Sequence, residues 1–268
     1  MELIDTHCHL TYSPLAEVID PVIRRSIAAG VTGWVTVGTD LDQCGRAIEL
    51  AKRIPNLYVA VGVHPHQTKA ATDDGLGRLV ELAQSQKVVA VGETGLDLHY
   101  LHSPPEDQRR VFIWHLDLAT RLGLPLVVHS REAFDQTLEI LDLYRGRVSP
   151  IVLHCFTGTM AQAQAAIDRG FYLSFSGVAT FKNARDVQEA ARNVPLDRVL
   201  IETDCPYLSP EPMRRQKINE PAFMIHTALF LAGLRKMDLG QFVTTVTDNA
   251  RRFYRLPGTS RLQHQSSL

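Results

Sequence analysis

Apolar and polar positions along this chain follow two rhythms. Short β-branched runs end near Thr6, Val37, Val61, Val91, Val128, Leu153, Leu173 and Ile201. Between them lie longer stretches whose apolar residues recur at helical spacing. In Glu106 to Leu122, for example, Val111, His115, Leu118, Ala119 and Leu122 share one face, and Ala133 to Tyr144 reads the same way. Gly30, Gly123 and Gly170 each fall just before a strand, where a helix commonly ends on a left-handed residue. The strand runs are almost continuously apolar, which predicts a parallel sheet covered on both faces. Repetition of the strand–helix unit at each of the listed runs predicts an α/β fold of the closed (β/α)8 TIM-barrel type. No GxGxxG follows the first strand and no P-loop pattern occurs, which counts against an open sheet built for a nucleotide cofactor. A single barrel domain is expected over residues 1–256. Residues 257–268 lose periodicity, turn polar and read as a disordered tail.

Composition adds constraints. With 268 residues, the chain can bury a large core without disulfides. Its 28 Lys+Arg and 29 Asp+Glu leave a formal net charge of −1, which excludes binding nucleic acid by bulk positive charge. Cys8, Cys44, Cys155 and Cys205 are scattered without a CxxC and read as small core residues of a reducing compartment. The N-terminus shows no signal-peptide pattern, so a cytoplasmic protein is expected. The longest mostly apolar run, Ala222 to Leu234, is too short to span a bilayer, and no membrane contact is expected.

The chemistry lies at the strand ends. In a (β/α)8 barrel the C-terminal ends of the strands share one mouth. The first strand runs into Asp5-Thr6-His7-Cys8-His9, the fourth into Gly92-Glu93-Thr94-Gly95-Leu96-Asp97, the fifth into His129-Ser130-Arg131. The sixth runs into His154-Cys155-Phe156 and the eighth into Glu202-Thr203-Asp204-Cys205. Residues i and i+2 of a strand face one side, so His7 and His9 can reach one ion while Cys8 faces away. His7, His9, Glu93, His129, His154 and Asp204 exceed the ligands one catalytic zinc takes, which predicts two divalent ions. His7, His9 and Asp204 would hold one, His129 and His154 the other, with Glu93 bridging. Asp5 and Glu202 are read as acids supporting those ligands, and Asp204 as the group orienting or deprotonating the attacking water.

These segments, together with Gly62-Val63-His64-Pro65-His66, Asn219-Glu220-Pro221 and Asn249-Ala250-Arg251-Arg252-Phe253, resemble the TatD family of metal-dependent DNases, within the amidohydrolase superfamily. The similarity runs from about Leu3 to Leu256 in the family's order. It implies Mg²⁺-, Mn²⁺- or Zn²⁺-dependent hydrolysis of phosphodiester bonds in DNA, in one form as a 3′–5′ exonuclease on single-stranded DNA or RNA. It also implies that His64 contacts substrate phosphate, joining Glu93 and Asp204 as catalytic residues. Relatives that hydrolyse esters keep open a second reading, a D-aminoacyl-tRNA deacylase. The sequence departs from the family pattern at Glu132, at Leu98-His99-Tyr100-Leu101-His102 and at Arg215-Gln216-Lys217, all in substrate loops. Arg131, Arg215 and Lys217 supply cations for phosphates, and Tyr207, with Phe156 and Phe181, aromatic faces for bases. A monomer with no obligate protein partner is expected. Two bound divalent ions would move the formal charge from −1 to about +3, concentrated in the mouth.

Overall fold

The computed structural model describes residues 2–257. Its strands are β1 (Leu3–Cys8), β2 (Val31–Val37), β3 (Leu57–Val61), β4 (Val88–Asp97), β5 (Leu126–Arg131), β6 (Ile151–Leu153), β7 (Tyr172–Phe175) and β8 (Val199–Ile201). They hydrogen-bond in that order, each parallel to the next. The helices between them are α1 (Ile19–Ala28), α2 (Leu41–Arg53), α3 (Asp73–Leu82), α4 (Pro105–Leu122), α5 (Phe134–Asp142), α6 (Met160–Ile167) and α7 (Arg185–Asn193). After β8 come α8 (Met224–Leu234) and α9 (Leu239–Tyr254). This is the expected α/β barrel. The residues read as a tail lie outside the described residues, except Pro257.

Two apolar layers hold it. Ile4, Val35, Val37, Ala60, Ala90, Val127, Val152, Tyr172 and Leu200 point into the barrel, where Ala250, Phe253 and Tyr254 of α9 pack against them. The outward strand residues, such as Leu3, Leu57, Leu126 and Leu173, pack against the helices. Tyr254 donates its hydroxyl to the Thr6 carbonyl at 2.9 Å, which fixes α9 to β1. Gly30, Gly123 and Gly170 all have positive φ, as expected of helix-terminating glycines. No helix among the described residues is long and apolar enough to cross a membrane.

The structure lengthens several strands beyond their expected ends. β4 continues through Glu93 to Asp97 and β5 through His129 to Arg131, so Thr94 to Asp97 and His129 to Arg131 sit on paired backbone, not in loops. Between β8 and β1 the described residues form no regular ladder. There Thr6 Oγ1 donates to the Ile201 carbonyl at 2.9 Å, Asp204 N–H to the His7 carbonyl at 2.9 Å, and His9 N–H to the Cys205 carbonyl at 2.8 Å.

Candidate metal centre

Strand alternation alone does not place the mouth residues. Ile4 faces the barrel interior, yet Cys8, an even number of residues later, belongs to the outer layer. The ladder with β2 slips between Asp5 and Cys8, and that slip turns His7 inward. A second slip, between Val91 and Thr94 of β4, does the same for Glu93.

Two groups of side chains result. His7 Nε2 and His9 Nε2 lie 3.3 Å apart, and Asp204 Oδ1 lies 3.3 Å from His9 Nε2 and 3.8 Å from His7 Nε2. In the second group Glu93 Oε1 is 2.7 Å from His154 Nε2, 2.9 Å from His129 Nδ1 and 3.4 Å from His64 Nε2. Glu93 Oε2 turns the other way, 3.3 Å from His7 Nε2. One carboxylate therefore presents one oxygen to each group.

The hydrogen bonds behind these residues decide which nitrogens are bare. His9 Nδ1–H donates to the Val37 carbonyl at 3.3 Å, and His154 Nδ1–H to Glu202 at 3.3 Å. His129 Nε2–H donates to Asp97 at 3.1 Å. When neutral, each ring then turns a lone pair inward, toward other lone pairs and carboxylate oxygens. Among the described residues no Lys or Arg pairs with Glu93, Asp97, Glu202 or Asp204, although all but Asp204 are essentially buried. Buried acceptors facing acceptors call for a proton or a metal ion between them, and this nitrogen–oxygen donor set fits divalent metals. Without one, the crowding falls on the rings. Burial lowers His154, but Glu93 and Glu202 outweigh it and hold its pKa well above the usual value. Burial would likewise raise Glu93, but His154, His64 and His7 hold its carboxyl well below the carboxylate range.

His64 differs from the other rings. It caps the 3-10 turn Pro65–Ala70, and the His66 N–H donates to its Nδ1 at 3.1 Å. The neutral ring must then carry its proton on Nε2, which makes it an inward donor and not a ligand. Burial pushes its pKa down to about 4.

The two supporting acids also differ. Glu202 touches His154 and accepts the Cys155 N–H at 2.7 Å. Asp5 touches no ligand ring. It accepts from Thr203 N–H at 2.9 Å, from the Thr203 hydroxyl and from His7 N–H, and so pins β1 to the segment after β8. Burial pushes its pKa up to about 7.

A cavity of about 920 Å³ opens above the centre. Arg131 and Tyr207 line it, as do Tyr100, Tyr12 and Cys155. Arg215 and Lys217 are exposed in the loop after β8 but do not line it. Phe156 is buried against Phe134 and Phe175 and offers no free face to a base, because the aromatic core claims it. Arg214 covers Phe181 at 3.5 Å. Cys8 and Cys44 are the buried filler expected, whereas Cys155 is half-exposed beside Ser176. The sequence reading passed over Asp97, which shares the mouth side of β4 with Glu93. Its position four residues further along the same strand is the signal that could have found it.

Comparison with known proteins bears on this site. The model of the TatD related DNase family matches residues 4–255. The chain is 37% identical over 254 residues to YabD of Bacillus subtilis, described as an uncharacterized metal-dependent hydrolase, covering 95% of this chain and 99% of that one. It is 35% identical over 257 residues to the 3′–5′ ssDNA/RNA exonuclease TatD of Salmonella typhimurium, covering 94% and 98%. Among solved structures, the TatD homologue YJJV of Escherichia coli K12 superposes with a TM-score of 0.90 at 28% identity, covering 95% of this chain and 98% of that one.

Proposed function

The chain belongs to the TatD-related DNase family of metal-dependent hydrolases, and from that premise we propose that it cleaves phosphodiester bonds of nucleic acid, trimming single-stranded DNA or RNA from the 3′ end. The observation that carries this reading is the orientation of Glu93, one oxygen toward each of two donor groups. His7, His9 and Asp204 would hold one divalent ion, His129 and His154 the other, with Glu93 between them. Such a pair supplies Lewis-acid polarisation of a phosphoryl oxygen and a water whose pKa falls toward about 7.

The chain's own groups do the rest. Asp204 is partly exposed to the cavity, and its carboxyl stays ionised. Burial would raise its pKa, but the His9 hydrogen bond and the charges of His7 and His9 hold it below the usual range. It accepts the proton of the attacking water. His64 offers its Nε2–H to a non-bridging phosphate oxygen, a donor fixed before substrate arrives. Arg131, with its guanidinium 4.6 Å from the centre of the Tyr100 ring, meets a neighbouring phosphate, and Tyr207, which also lines the cavity, stacks a base.

The test offers purified protein with Mg²⁺, Mn²⁺ or Zn²⁺ to 5′-labelled single-stranded DNA, the matching RNA, duplex DNA and a D-aminoacyl-tRNA. Stepwise shortening of the single strands is the expected result. Release of the amino acid with intact oligonucleotides under every metal would replace this reading with an ester hydrolase.

A further inference from the structure

We infer that Asp97 is a positioning residue, which sets the nitrogen that His129 turns to the metal centre and ties the loop after β4 to that choice. The inference rests on reading His129 as a metal ligand and is independent of the substrate.

Asp97 is fully buried at the end of β4. Its Oδ2 accepts from His129 Nε2–H at 3.1 Å and from His66 Nε2–H at 2.9 Å. Its Oδ1 accepts from the backbone N–H of His99 at 3.1 Å and of Tyr100 at 2.8 Å. A carboxylate can only accept, so both rings must donate. With its proton held on Nε2, His129 keeps Nδ1 bare, 2.9 Å from Glu93 Oε1 and 3.3 Å from His154 Nε2.

The aspartate cannot easily turn away. Gln108 Oε1 accepts the Asp97 N–H at 2.7 Å, and Gln108 Nε2–H donates to the Asp97 carbonyl at 3.0 Å. A structural role alone would be met by Oδ1, which caps the turn at His99 and Tyr100. That role does not call for a second oxygen shared by two imidazoles. Asparagine would not substitute, because four donors converge here and it supplies one acceptor. Whichever way its amide turned, an NH₂ would face either the two backbone N–H groups or the two rings. The loop held by Oδ1 carries Tyr100, the ring on which Arg131 rests, so the ligand and the cavity wall share one anchor.

Zinc titration of the full chain and of Asp97→Asn by calorimetry tests this. One class of site should weaken 10- to 100-fold in the variant, while the class containing His7, His9 and Asp204 stays within about threefold. Equal affinity at both classes in the two proteins would overturn the inference. A ¹⁵N-histidine spectrum of the zinc-loaded wild-type protein needs no variant, so it decides the matter even if Asp97→Asn fails to fold. It should show His129 protonated on Nε2, and protonation on Nδ1 would overturn the inference. Because neither readout uses a nucleic acid, weakened zinc binding without nuclease activity would sink the proposed function and leave this inference standing.

Discussion

Two histidines and one aspartate show how neighbours assign a side chain its task. Asp204 is an ionised acceptor beside His7 and His9 and reaches the cavity. Asp204→Asn keeps the shape and removes the base proposed above, so turnover should fall about 10²- to 10⁴-fold with the fold intact. Steady-state rates at verified metal content check this, and a wild-type rate would remove Asp204 from the role. His64 sits near Glu93 but is committed as a donor by a backbone amide, which its sequence context does not announce. His115 has no part in the chemistry. Buried in α4, it donates Nδ1–H to the Val111 carbonyl at 2.7 Å and accepts the Val63 N–H at 3.0 Å, just before His64. Burial pushes its pKa down to about 4, against 6.5 when unfolded. Between those values the unfolded chain binds a proton that the native protein refuses. This contribution is therefore intact above pH 6.5 and lost as pH falls toward 4. Relative to pH 8, about 2 kcal/mol should be gone at pH 5. Urea unfolding of wild type and His115→Gln at both pH values should show their stability gap shrinking by that amount.

At the scale of elements, the pairing of β4 with β5 carries most of the second donor group. Gly95 pairs with His129 at φ +137°, and a Cβ there would stand 2.0 Å from the His129 carbonyl oxygen. Alanine at this position must push the two strands apart between Glu93 and Asp97. Gly95→Ala should cost on the order of 3 kcal/mol by denaturant unfolding and weaken zinc binding at the same time. Stability unchanged within 0.5 kcal/mol would mean the strands part freely. The repeating units themselves were readable because buried parallel strands need near-continuous apolar runs and their helices a single apolar stripe. Strand ends were less readable. β4 and β5 run on through polar residues because a neighbour pairs their backbone, whatever their side chains are.

Over the whole molecule, the barrel closes at β8 and β1 through a few side-chain and backbone bonds, and the first donor group straddles that seam. His7 and His9 stand on one side and Asp204 on the other. An ion shared by them would join the two ends of the sheet. Chelation should lower the melting temperature by roughly 5 °C for each ion removed, relative to protein with metal at a hundredfold excess over its Kd. Amide exchange should rise first in β1 and in the segment after β8, and uniform exchange would separate metal binding from closure. The sequence by itself determined the barrel, the strand order and most of the acids and histidines at its mouth, Asp97 excepted, because hydrophobic period and residue type are local properties. Only the tertiary structure decided which way those residues point. Alternation has a period of two, so one slipped residue moves every later side chain to the other face. The slips before Cys8 and before Thr94 arise from pairing with β2 and β5, strands distant in sequence. The same holds for the tautomers of His9, His64, His129 and His154, which are set by partners that folding brings from other strands or turns into place.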